Sequence, residues 1–481
     1  MTGTVRFTDA DVAAFASASG DHNPLHVDPA FARSTPFGRT VVHGALAAIT
    51  VLPRLGDVNG ARFLFREAVF TDEPYRIDRG EGRVSLSGRG QAALKATPRL
   101  GRLRPPPSTG PTALLHDPTT RTTPRMHREI TPGVVLTGSY EPRWDDLAAV
   151  AGRPVGTADL ALAFAGYASG MLLPGRDGVL AEIDLRVHAP SPPRHALGYR
   201  LHVEDHDPRS GLTTSSAILT AGGSPLAELR LCSFAGRRAP QPTLDRVARH
   251  LRPGSGLSGH TVLVVGCSRG FGAALTLALL SQGATVHGTY AASPRAAVQL
   301  ALHSGPHSSR LWLHQADATD PAAMRNVLTA AGDLTGVVLN ATPPLHPITL
   351  SPDAATEARR HTDLAIAAAM VPLGCALPAL TRGWVAFVST EALAAPPAQW
   401  PHYVAAKAAI EGLAAWLEHN RPDVDAVVLR LPAMRTELTN TPVGHLDART
   451  PEEVAARVVR RMLDQDWATT CWSFPEEATI R

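Results

Sequence analysis

Residues 262–272, Val-Leu-Val-Val-Gly-Cys-Ser-Arg-Gly-Phe-Gly, decide the fold class of the C-terminal part of the chain. The apolar run 262–265 predicts a buried strand, and the Ala- and Leu-rich stretch 271–282 predicts the helix after it. Glycines between a strand and a helix let the backbone approach a phosphate group. Further strand-like runs alternate with helix-like stretches at 284–289, 311–315, 336–340, 384–389 and 425–431. This alternation predicts an α/β, Rossmann-type doubly wound parallel sheet over residues 258–481.

The N-terminal part has a different pattern. Residues 99–131 and 236–257 are rich in Pro and in Gly, Thr or Arg, and we interpret both as linkers. They leave two segments, 1–98 and 132–235. Each has one helix-like stretch (43–55 and 158–172) followed by strand-like runs, which predicts an α+β fold with a sheet wrapped on a helix.

Composition excludes several function classes. A chain of 481 residues with 44% hydrophobic and 19% charged residues has enough apolar material for about three domains. A net charge of +3 with dispersed arginines argues against nucleic-acid binding. Four scattered cysteines predict neither a metal site nor a disulfide framework. We expect no membrane span and no secretory signal, and therefore a cytoplasmic protein.

A stiff loop in the first segment brings a carboxylate and an imidazole together. Residues 20–26 read Gly-Asp-His-Asn-Pro-Leu-His, in which Pro24 stiffens the turn. Asp21 and His26 are near enough to share one water, and such a pair suits the addition of water to an activated double bond or its removal. Asn23 either orients that water or stabilises the loop. On residue types alone, a turn with two surface histidines fits equally well.

The same region resembles a known family. Gly44 begins the helix-like stretch, where backbone N–H groups favour an oxyanion. The sequences GDHNPLH, HVDPAFA and PFGRTVVHGALAA resemble the R-specific enoyl-CoA hydratases, the MaoC-like or hydratase 2 family, over about residues 5–98. The resemblance implies a hot dog fold in which Asp21 and His26 form the catalytic dyad and Gly44 is the oxyanion glycine.

The second segment lacks that loop. Residues 166–175 (GYASGMLLPG) resemble the helix-to-strand part of hot dog dehydratases and thioesterases, and no acid–base pair accompanies them. His188 is a lone histidine at a strand end, which is more often structural. We interpret residues 132–235 as a degenerate second half that completes a double hot dog.

A second chemical motif lies near the end of the chain. Tyr403 and Lys407 are spaced i, i+4, so they share one face of a helix. The chain contains only two lysines, Lys95 and Lys407, among 46 basic residues. A nearby cation is expected to lower the pKa of the tyrosine and make it a proton donor to a reduced carbonyl.

The glycine loop and Tyr-x-x-x-Lys together resemble the short-chain dehydrogenases/reductases, over residues 258–481, and especially the 3-oxoacyl carrier-protein reductases. The resemblance implies cofactor contacts from the loop, from the adenine-side residue and from the catalytic pair: Gly266, Ser268, Arg269, Gly270, Phe271, Gly272, Asp317, Asn340, Tyr403 and Lys407. The family's catalytic serine maps to Thr390 by spacing or to Ser389 by residue type. Residues 286–295 contain no acidic group to hold a ribose hydroxyl, whereas Arg269 or Arg295 can neutralise a 2′-phosphate, so we expect NADPH.

This part of the chain departs from the family in its helix asparagine, whose position reads His361-Thr362-Asp363-Leu364, and in its C-terminus. Two consecutive activities are expected: reduction of a 3-oxoacyl thioester, then dehydration to the trans-2-enoyl thioester, in fatty acid or polyketide synthesis. The acyl group is expected on an acyl carrier protein or coenzyme A, and the family resemblance implies a homodimer. Three alternatives stay open: a β-oxidation type hydratase–dehydrogenase using NAD, a hydratase with a decayed reductase domain, and a non-catalytic acyl-binding scaffold.

Overall fold

The computed structural model describes residues 3–33, 35–80, 82–88, 91–99, 101, 103, 111–126, 130–189, 194–236, 239–345, 347–348, 350–352, 354–380, 382–439, 448–464 and 471–474. Two compact units share the chain, with the division between Arg237 and Arg238.

The first unit contains eleven strands and six helices in its described residues. The strands are β1 (Gly3–Arg6), β2 (Gly60–Phe65), β3 (Pro74–Gly80), β4 (Arg83–Gly88), β5 (Gln91–Pro98), β6 (Ala113–Asp117), β7 (Val134–Tyr140), β8 (Gly178–Val187), β9 (Leu197–His206), β10 (Leu212–Ala221) and β11 (Ser224–Ala235). The helices are α1 (Asp9–Ser19), α2 (Pro24–Val27), α3 (Pro29–Ala32), α4 (Gly44–Val51), α5 (Trp144–Ala151) and α6 (Thr157–Tyr167).

The strands form one sheet that repeats the same arrangement twice. Its order is β1-β3-β4-β5-β2-β8-β11-β10-β9-β7-β6, and the halves meet where β2 pairs antiparallel with β8. Within each half, one strand (β1 or β7) and two principal helices precede four strands, and β6 is an additional strand at the edge beside β7. The helices α4 and α6 pack against each other, as do α1 and α5. The predicted double hot dog is therefore confirmed, and it is a single unit.

The core of this unit forms where the two long apolar helices meet the sheet. In α4 and α6 nearly every residue is buried, and alanines such as Ala45, Ala47 and Ala163 let the helices approach closely. A helix that is apolar on all sides must be covered on all sides to be stable in water. The sheet covers both helices, since α4 packs on β4 and β5 while α6 packs on β8 and β11.

The prediction that residues 99–131 form a linker without strands is wrong. Residues 113–117 form β6, which pairs in parallel with β7 at the edge of the sheet. Leu114 is 64% exposed and Leu115 37% exposed, so β6 lacks the alternation of buried and exposed residues that reveals a strand in a sequence. Part of this segment, 100, 102, 104–110 and 127–129, lies outside the described residues.

The second unit is a parallel sheet with helices on both faces. Its strands are β12 (Thr261–Val265), β13 (Thr285–Tyr290), β14 (Leu311–Gln315), β15 (Gly336–Leu339), β16 (Gly383–Thr390), β17 (Val424–Leu431) and β18 (Cys471–Ser473). The helices are α7 (Leu244–Ala248), α8 (Gly270–Ser281), α9 (Pro294–His303), α10 (Pro321–Ala331), α11 (Ala355–Ala376), α12 (Pro401–Asn420) and α13 (Pro451–Leu463). The strand order β14-β13-β12-β15-β16-β17-β18 confirms the predicted doubly wound sheet. The order reverses between β12 and β15, where such sheets bind ligands.

Residues 236–257, which we interpreted as the second linker, mostly belong to the second unit. Val247 of α7, Leu251 and Leu257 are buried in the same apolar cluster as α8 and α13. The short amphipathic stretch in this segment therefore covers the sheet instead of bridging two domains.

One stretch of the second unit, Ala355–Ala379, is long and apolar enough to cross a membrane by length and composition alone. A core helix of a soluble protein passes the same test, and α11 packs against α10, α12 and β15.

Candidate active sites

A short loop between α1 and α2 carries the first set of reactive groups. Gly20 ends α1 in a left-handed conformation (φ 74°) that glycine adopts without strain, and its N–H donates to the Ala16 carbonyl oxygen. Asn23 then begins α2, because its side-chain oxygen accepts from Leu25 N–H at 3.0 Å and Pro24 occupies the first helical position. Asp21 therefore lies between two helix ends, and His26 lies in α2.

Burial sets the protonation of the two reactive groups. Asp21 is 2% exposed, and this burial raises the pKa of its carboxyl group to about 7, although Asn23 N–H donates to Oδ1 at 3.3 Å. His26 Nδ1 donates to the Val41 carbonyl oxygen at 2.7 Å, which leaves Nε2 as the basic nitrogen. Burial of the ring lowers the pKa of His26 to about 4. Near neutral pH the imidazole is neutral, while the carboxyl group is close to its midpoint.

A third side chain, His43, joins these two. Its Nε2 donates to the Asp21 carbonyl oxygen at 3.0 Å, and its ring stacks on His26 with centroids 3.8 Å apart. His43 also immediately precedes Gly44, the first residue of α4. A Cβ on Gly44 would lie 3.1 Å from the Phe65 ring, so glycine permits that close approach. His43 thus connects the dyad to the start of the helix where an oxyanion would bind.

Asn23 stabilises the loop. Its side chain is fully buried, its oxygen caps α2, and its Nδ2 lies 3.3–3.5 Å from carbonyl oxygens of the second half, those of Gly170, Gly175 and Gly178. Of the two roles that the sequence left open, orienting water or holding the loop, these contacts favour the second.

The second half has no equivalent loop. Residues 152–156 alone connect α5 to α6, where residues 20–43 connect α1 to α4. At the start of α6, Gly156 N–H donates to Asp159 Oδ2 at 3.0 Å, and Arg153 pairs with the same carboxylate. The Asp159 carboxylate thus occupies the start of α6. This helix end corresponds to the start of α4 in the first half, where an oxyanion would bind. His188 pairs with Glu228 at 3.3 Å on neighbouring strands.

In the second unit, the glycine loop lies at the carboxyl end of β12 beside β15. Gly266 has φ 83°, and a Cβ there would lie 2.9 Å from Ala341 Cα. Gly270 begins α8 with φ 56°, and a Cβ on Gly272 would overlap the Gly266 carbonyl oxygen. The loop is therefore packed so closely that only glycine fits, and Ser268 and Phe271 beside it are buried. This cradle of backbone N–H groups fits a pyrophosphate.

Two predicted cofactor contacts have partners within the protein. Asn340 Nδ2 donates to the Gly266 carbonyl oxygen at 2.7 Å and so supports the glycine loop. Asp317 follows β14, and its Oδ1 accepts from the N–H and hydroxyl of Thr319, both at 2.8 Å. Arg269 occupies the N-cap position of α8.

The Tyr403–Lys407 pair lies at the start of α12. Both residues are buried, and Lys407 Nζ lies 5.8 Å from the centroid of the Tyr403 ring while donating to the Val388 carbonyl oxygen at 2.7 Å. Burial lowers the pKa of Lys407 to about 8. The prediction that the cation lowers the pKa of Tyr403 is wrong. Burial raises that pKa, and a hydrogen bond with Thr390 only partly offsets the rise.

Of the two hydroxyls proposed from the sequence, Thr390 lies at Tyr403 and Ser389 does not. Ser389 Oγ donates to Glu411 Oε1 at 2.6 Å, and Glu411 is held in turn by Arg430. The two side chains point to opposite faces of β16 because neighbouring residues of a strand alternate. Of the two candidates for the carbonyl-polarising group, this geometry favours Thr390.

The departure at the family's helix asparagine has a structural counterpart. His361 packs edge-on against His402 with ring centroids 4.5 Å apart; both rings are buried, and His402 directly precedes Tyr403 in the sequence. Thr362 Oγ1 donates to the Ala358 carbonyl oxygen at 2.9 Å. These residues fill the space between α11 and α12 next to the Tyr–Lys pair.

Comparison with known families agrees with both sites. Residues 2–73 match the MaoC like domain, and residues 260–443 match the short chain dehydrogenase family. The chain joins a MaoC-like domain to a short-chain dehydrogenase domain. The first match contains Asp21, His26 and Gly44, and the second contains the glycine loop, Tyr403 and Lys407.

Two curated relatives match the MaoC-like domain. An (R)-specific enoyl-CoA hydratase of Aeromonas caviae is 63% identical over 43 residues, covering 9% of this chain and 32% of the relative. The 3-hydroxyacyl-thioester dehydratase Z of Mycobacterium tuberculosis is 47% identical over 51 residues, covering 11% and 33%. The chain therefore spans about a third of the length of the curated relatives it matches.

Solved structures match the short-chain dehydrogenase domain. A short-chain dehydrogenase/reductase from Serratia marcescens is 23% identical, with 46% of this chain and 97% of that chain covered at a TM-score of 0.40. A short chain dehydrogenase from Burkholderia cenocepacia in complex with NADP is 26% identical, with 43% and 91% covered at a TM-score of 0.39.

The MaoC-like domain also contains the one cluster of possible metal ligands among the described residues. Ligand atoms of Asp21, His26 and His43 all lie within 4.8 Å of one another. However, His26 Nδ1 and His43 Nε2 donate to backbone carbonyl oxygens, and the two rings are stacked instead of converging on a point. The arrangement fits acid–base chemistry better than metal coordination.

Sequence reasoning missed His43 as a site residue of the MaoC-like domain. The signal was its position directly before Gly44 in a buried, otherwise apolar stretch, where an imidazole requires a polar partner. That partner is the carbonyl oxygen of Asp21.

His43→Phe keeps an aromatic ring but removes the donor to Asp21. Loss of this donor releases the backbone that holds Asp21 in place, and displacement of a catalytic group by about 1 Å costs about 100-fold, so we expect hydration kcat to fall about 10- to 100-fold. Steady-state hydration of a trans-2-enoyl thioester measures the effect. His22→Asn, at the exposed neighbour of Asp21, is the matched control and should retain full activity. Equal rates for His43→Phe and wild type would contradict a role for this contact.

Proposed function

We propose that the chain reduces a 3-oxoacyl thioester with NADPH and then dehydrates the 3-hydroxyacyl product to the trans-2-enoyl thioester, in fatty acid or polyketide synthesis. One observation carries the proposal: the buried Asp21 beside the half-buried His26, and the buried Tyr403–Lys407 pair with Thr390, occur in one chain. The two chemistries are consecutive, because the product of ketone reduction is the substrate of dehydration.

The residues near Tyr403 suit ketone reduction. The Thr390 hydroxyl would hold the substrate carbonyl oxygen, and Tyr403 would donate its proton to that oxygen as charge develops there. Lys407, buried and able to stay protonated below about pH 8, would stabilise the phenolate that remains. The glycine loop at Gly266–Gly272 and Arg269 would hold a dinucleotide. Its dihydronicotinamide ring supplies the hydride when bound.

The residues around Asp21 suit dehydration. One member of the Asp21–His26 pair removes the proton from the α-carbon, and the other protonates the β-hydroxyl group, which leaves as water. Electrons from the broken C–H bond form the new double bond through a thioester enolate. Backbone N–H at Gly44, at the start of α4, would stabilise the enolate oxygen.

The absence of an acidic residue after β13 supports NADPH over NADH. Residues 290–295 read Tyr-Ala-Ala-Ser-Pro-Arg, and Arg269 occupies the N-cap position of α8 within the glycine loop. We expect Arg269→Ala to lower the ratio of kcat/KM for NADPH to that for NADH about 10- to 100-fold, because charge-assisted hydrogen bonds to a phosphate contribute about 1.5–3 kcal/mol. Arg325→Ala, an exposed change on α10, is the control. An unchanged ratio would remove Arg269 from the phosphate site.

A second candidate function is a β-oxidation type hydratase and 3-hydroxyacyl-CoA dehydrogenase. It is favoured by the 63% identity of residues around the loop to a protein named as an (R)-specific enoyl-CoA hydratase. The same residues would then catalyse the reverse reactions on coenzyme A esters: hydration of the enoyl thioester, followed by oxidation of the 3-hydroxyacyl product with NAD. A preference for NADPH in kcat/KM would select the biosynthetic direction.

Each domain is tested separately. Purified protein is given a trans-2-enoyl N-acetylcysteamine thioester, and hydration is followed by loss of enoyl absorbance. In parallel it is given a 3-oxoacyl N-acetylcysteamine thioester, and NADPH oxidation is followed. We expect the wild type to catalyse both the hydration of the enoyl thioester and the oxidation of NADPH with the 3-oxoacyl thioester. Hydration without any NADPH oxidation would instead support a hydratase joined to a decayed reductase domain. Repeating both assays with acyl carrier protein and coenzyme A would identify the carrier, and sedimentation would test the proposed homodimer.

A further inference from the structure

The second hot dog half, which has no acid–base pair of its own, contacts the catalytic loop along residues 19–23. Tyr140 Oη, at the end of β7, donates to the Ser19 carbonyl oxygen at 3.0 Å. Asn23 Nδ2 reaches three carbonyl oxygens of the second half at 3.3–3.5 Å. The loop that carries Asp21 is therefore held by polar contacts on both sides of the carboxylate.

Two glycines of the second half lie directly against the carboxylate itself. A Cβ on Gly170 would overlap Asp21 Oδ1 and would lie 3.1 Å from both Asp21 Cγ and Asn23 Cβ. A Cβ on Gly166 would lie 3.1 Å from Asp21 Oδ2 and 3.0 Å from Ala45 Cβ. Neither glycine has a positive φ, so space and not backbone conformation excludes a side chain at these positions.

The backbone at the end of α6 is shaped to reach the carboxylate. Gly166 lies in the last turn of α6, and the chain continues into one π-helical turn, Ala168–Leu172, that contains Gly170. Isolated π-helical turns of this kind are frequent at functional sites. The two glycines are i, i+4 and face the two oxygens of a single carboxylate.

We propose that Gly166 and Gly170 are positioning residues for the dehydration step. By bringing bare helix backbone against both oxygens of Asp21, they exclude water from the carboxylate and hold it beside His26. The second half thus contributes residues to the active site and also completes the sheet. This inference rests on the proposed dehydratase function. The close approach of these glycines is part of the burial that raises the pKa of Asp21.

Gly170→Ala tests the inference by activity. We expect hydration kcat to fall at least about 100-fold, because displacing a catalytic group by about 1 Å has effects of that size, while KM changes little. The fall of the hydration rate with rising pH, which ionisation of Asp21 causes, should move below pH 7, since a displaced carboxylate regains water and its pKa drops. NADPH oxidation by the other domain should be unchanged. Gly412→Ala, at a helix glycine with no atom within 4 Å of the added carbon, is the matched control.

A stability cycle keeps the test decisive if Gly170→Ala weakens folding. Thermal unfolding of Gly170→Ala is compared in the wild-type and Asp21→Ala backgrounds. Overlap with the carboxylate predicts a loss of stability in the first background and little loss in the second. Equal losses in both backgrounds, or an unchanged hydration kcat and pH profile in an active wild type, would overturn the inference. A wild type that does not hydrate enoyl thioesters would refute the proposed function, and the stability cycle would still test the contact.

Discussion

Tyr403→Phe is expected to abolish ketone reduction and to leave hydration untouched. The phenol is the only group at this site proposed to protonate the ketone oxygen, and loss of a general acid lowers a rate about 10²- to 10⁴-fold. The phenyl ring keeps the buried packing of Tyr403 against Trp400, where the ring centroids are 5.6 Å apart. The rate of NADPH oxidation with a 3-oxoacyl thioester measures the effect.

The two neighbouring hydroxyls provide the matched comparison for Tyr403→Phe. Thr390→Val removes the hydroxyl at Tyr403 and should lower the reduction rate. Ser389→Ala removes a hydroxyl that donates to Glu411 on the other face of β16, and it should leave the reduction rate unchanged. Loss of activity in Ser389→Ala with a normal Thr390→Val would reverse the assignment. Full activity in Tyr403→Phe would mean that this domain does not act by the proposed proton transfer.

Asp21→Asn is expected to abolish hydration and to spare reduction. An amide neither accepts nor returns the proton, so the expected loss is about 10²- to 10⁴-fold in kcat. In the wild type, hydration should fall as pH rises through about 7, because ionisation of Asp21 beside a neutral His26 leaves the dyad without the proton that one member must donate. Asp28→Asn is the matched control, because it removes one carboxylate nearby while Asn still caps α3. A normal hydration rate in Asp21→Asn would exclude the dyad.

The same substitution has an effect on stability with a definite sign. The pKa of Asp21 is raised from 3.8 when unfolded to about 7 in the folded state, so the folded protein binds the proton more tightly. Wild-type stability of the first unit therefore falls as pH rises from about 4 to about 7. Asp21→Asn lacks this penalty, and its advantage in melting temperature should be greater at pH 8 than at pH 4. An advantage that does not change with pH would contradict the raised pKa.

Local sequence signals predicted those parts of the sites that lie within one short segment. The loop with Asp21 and His26 is enclosed by a helix-ending glycine and an Asn-Pro helix start, and the glycine loop follows a buried strand directly. Each geometry is determined by residues within about ten positions of one another. For the same reason the doubly wound sheet was predictable, whereas the edge strand β6, with both leucines exposed, was not.

Features that depend on distant contacts were not predictable. Spacing from Tyr403 allowed either Ser389 or Thr390, and only the direction of the side chains on β16 decides between them. The spacing of Tyr403 and Lys407 suggested a lowered tyrosine pKa, but burial of the phenol raises that pKa. The proposed positioning role of Gly170 depends on contacts with residues about 150 positions away in sequence. The hydrogen bond from Asn23 Nδ2 to the Gly170 carbonyl oxygen is one of these contacts.

Consecutive reduction and dehydration are tested most directly by following one substrate through both reactions. Wild-type protein is incubated with a 3-oxoacyl N-acetylcysteamine thioester and NADPH, and the products are identified by mass spectrometry. We expect a trans-2-enoyl thioester from the wild type, a 3-hydroxyacyl thioester from Asp21→Asn and unreacted ketone from Tyr403→Phe. Unreacted ketone from the wild type, or the same enoyl product from all three proteins, would contradict the proposed reduction and dehydration.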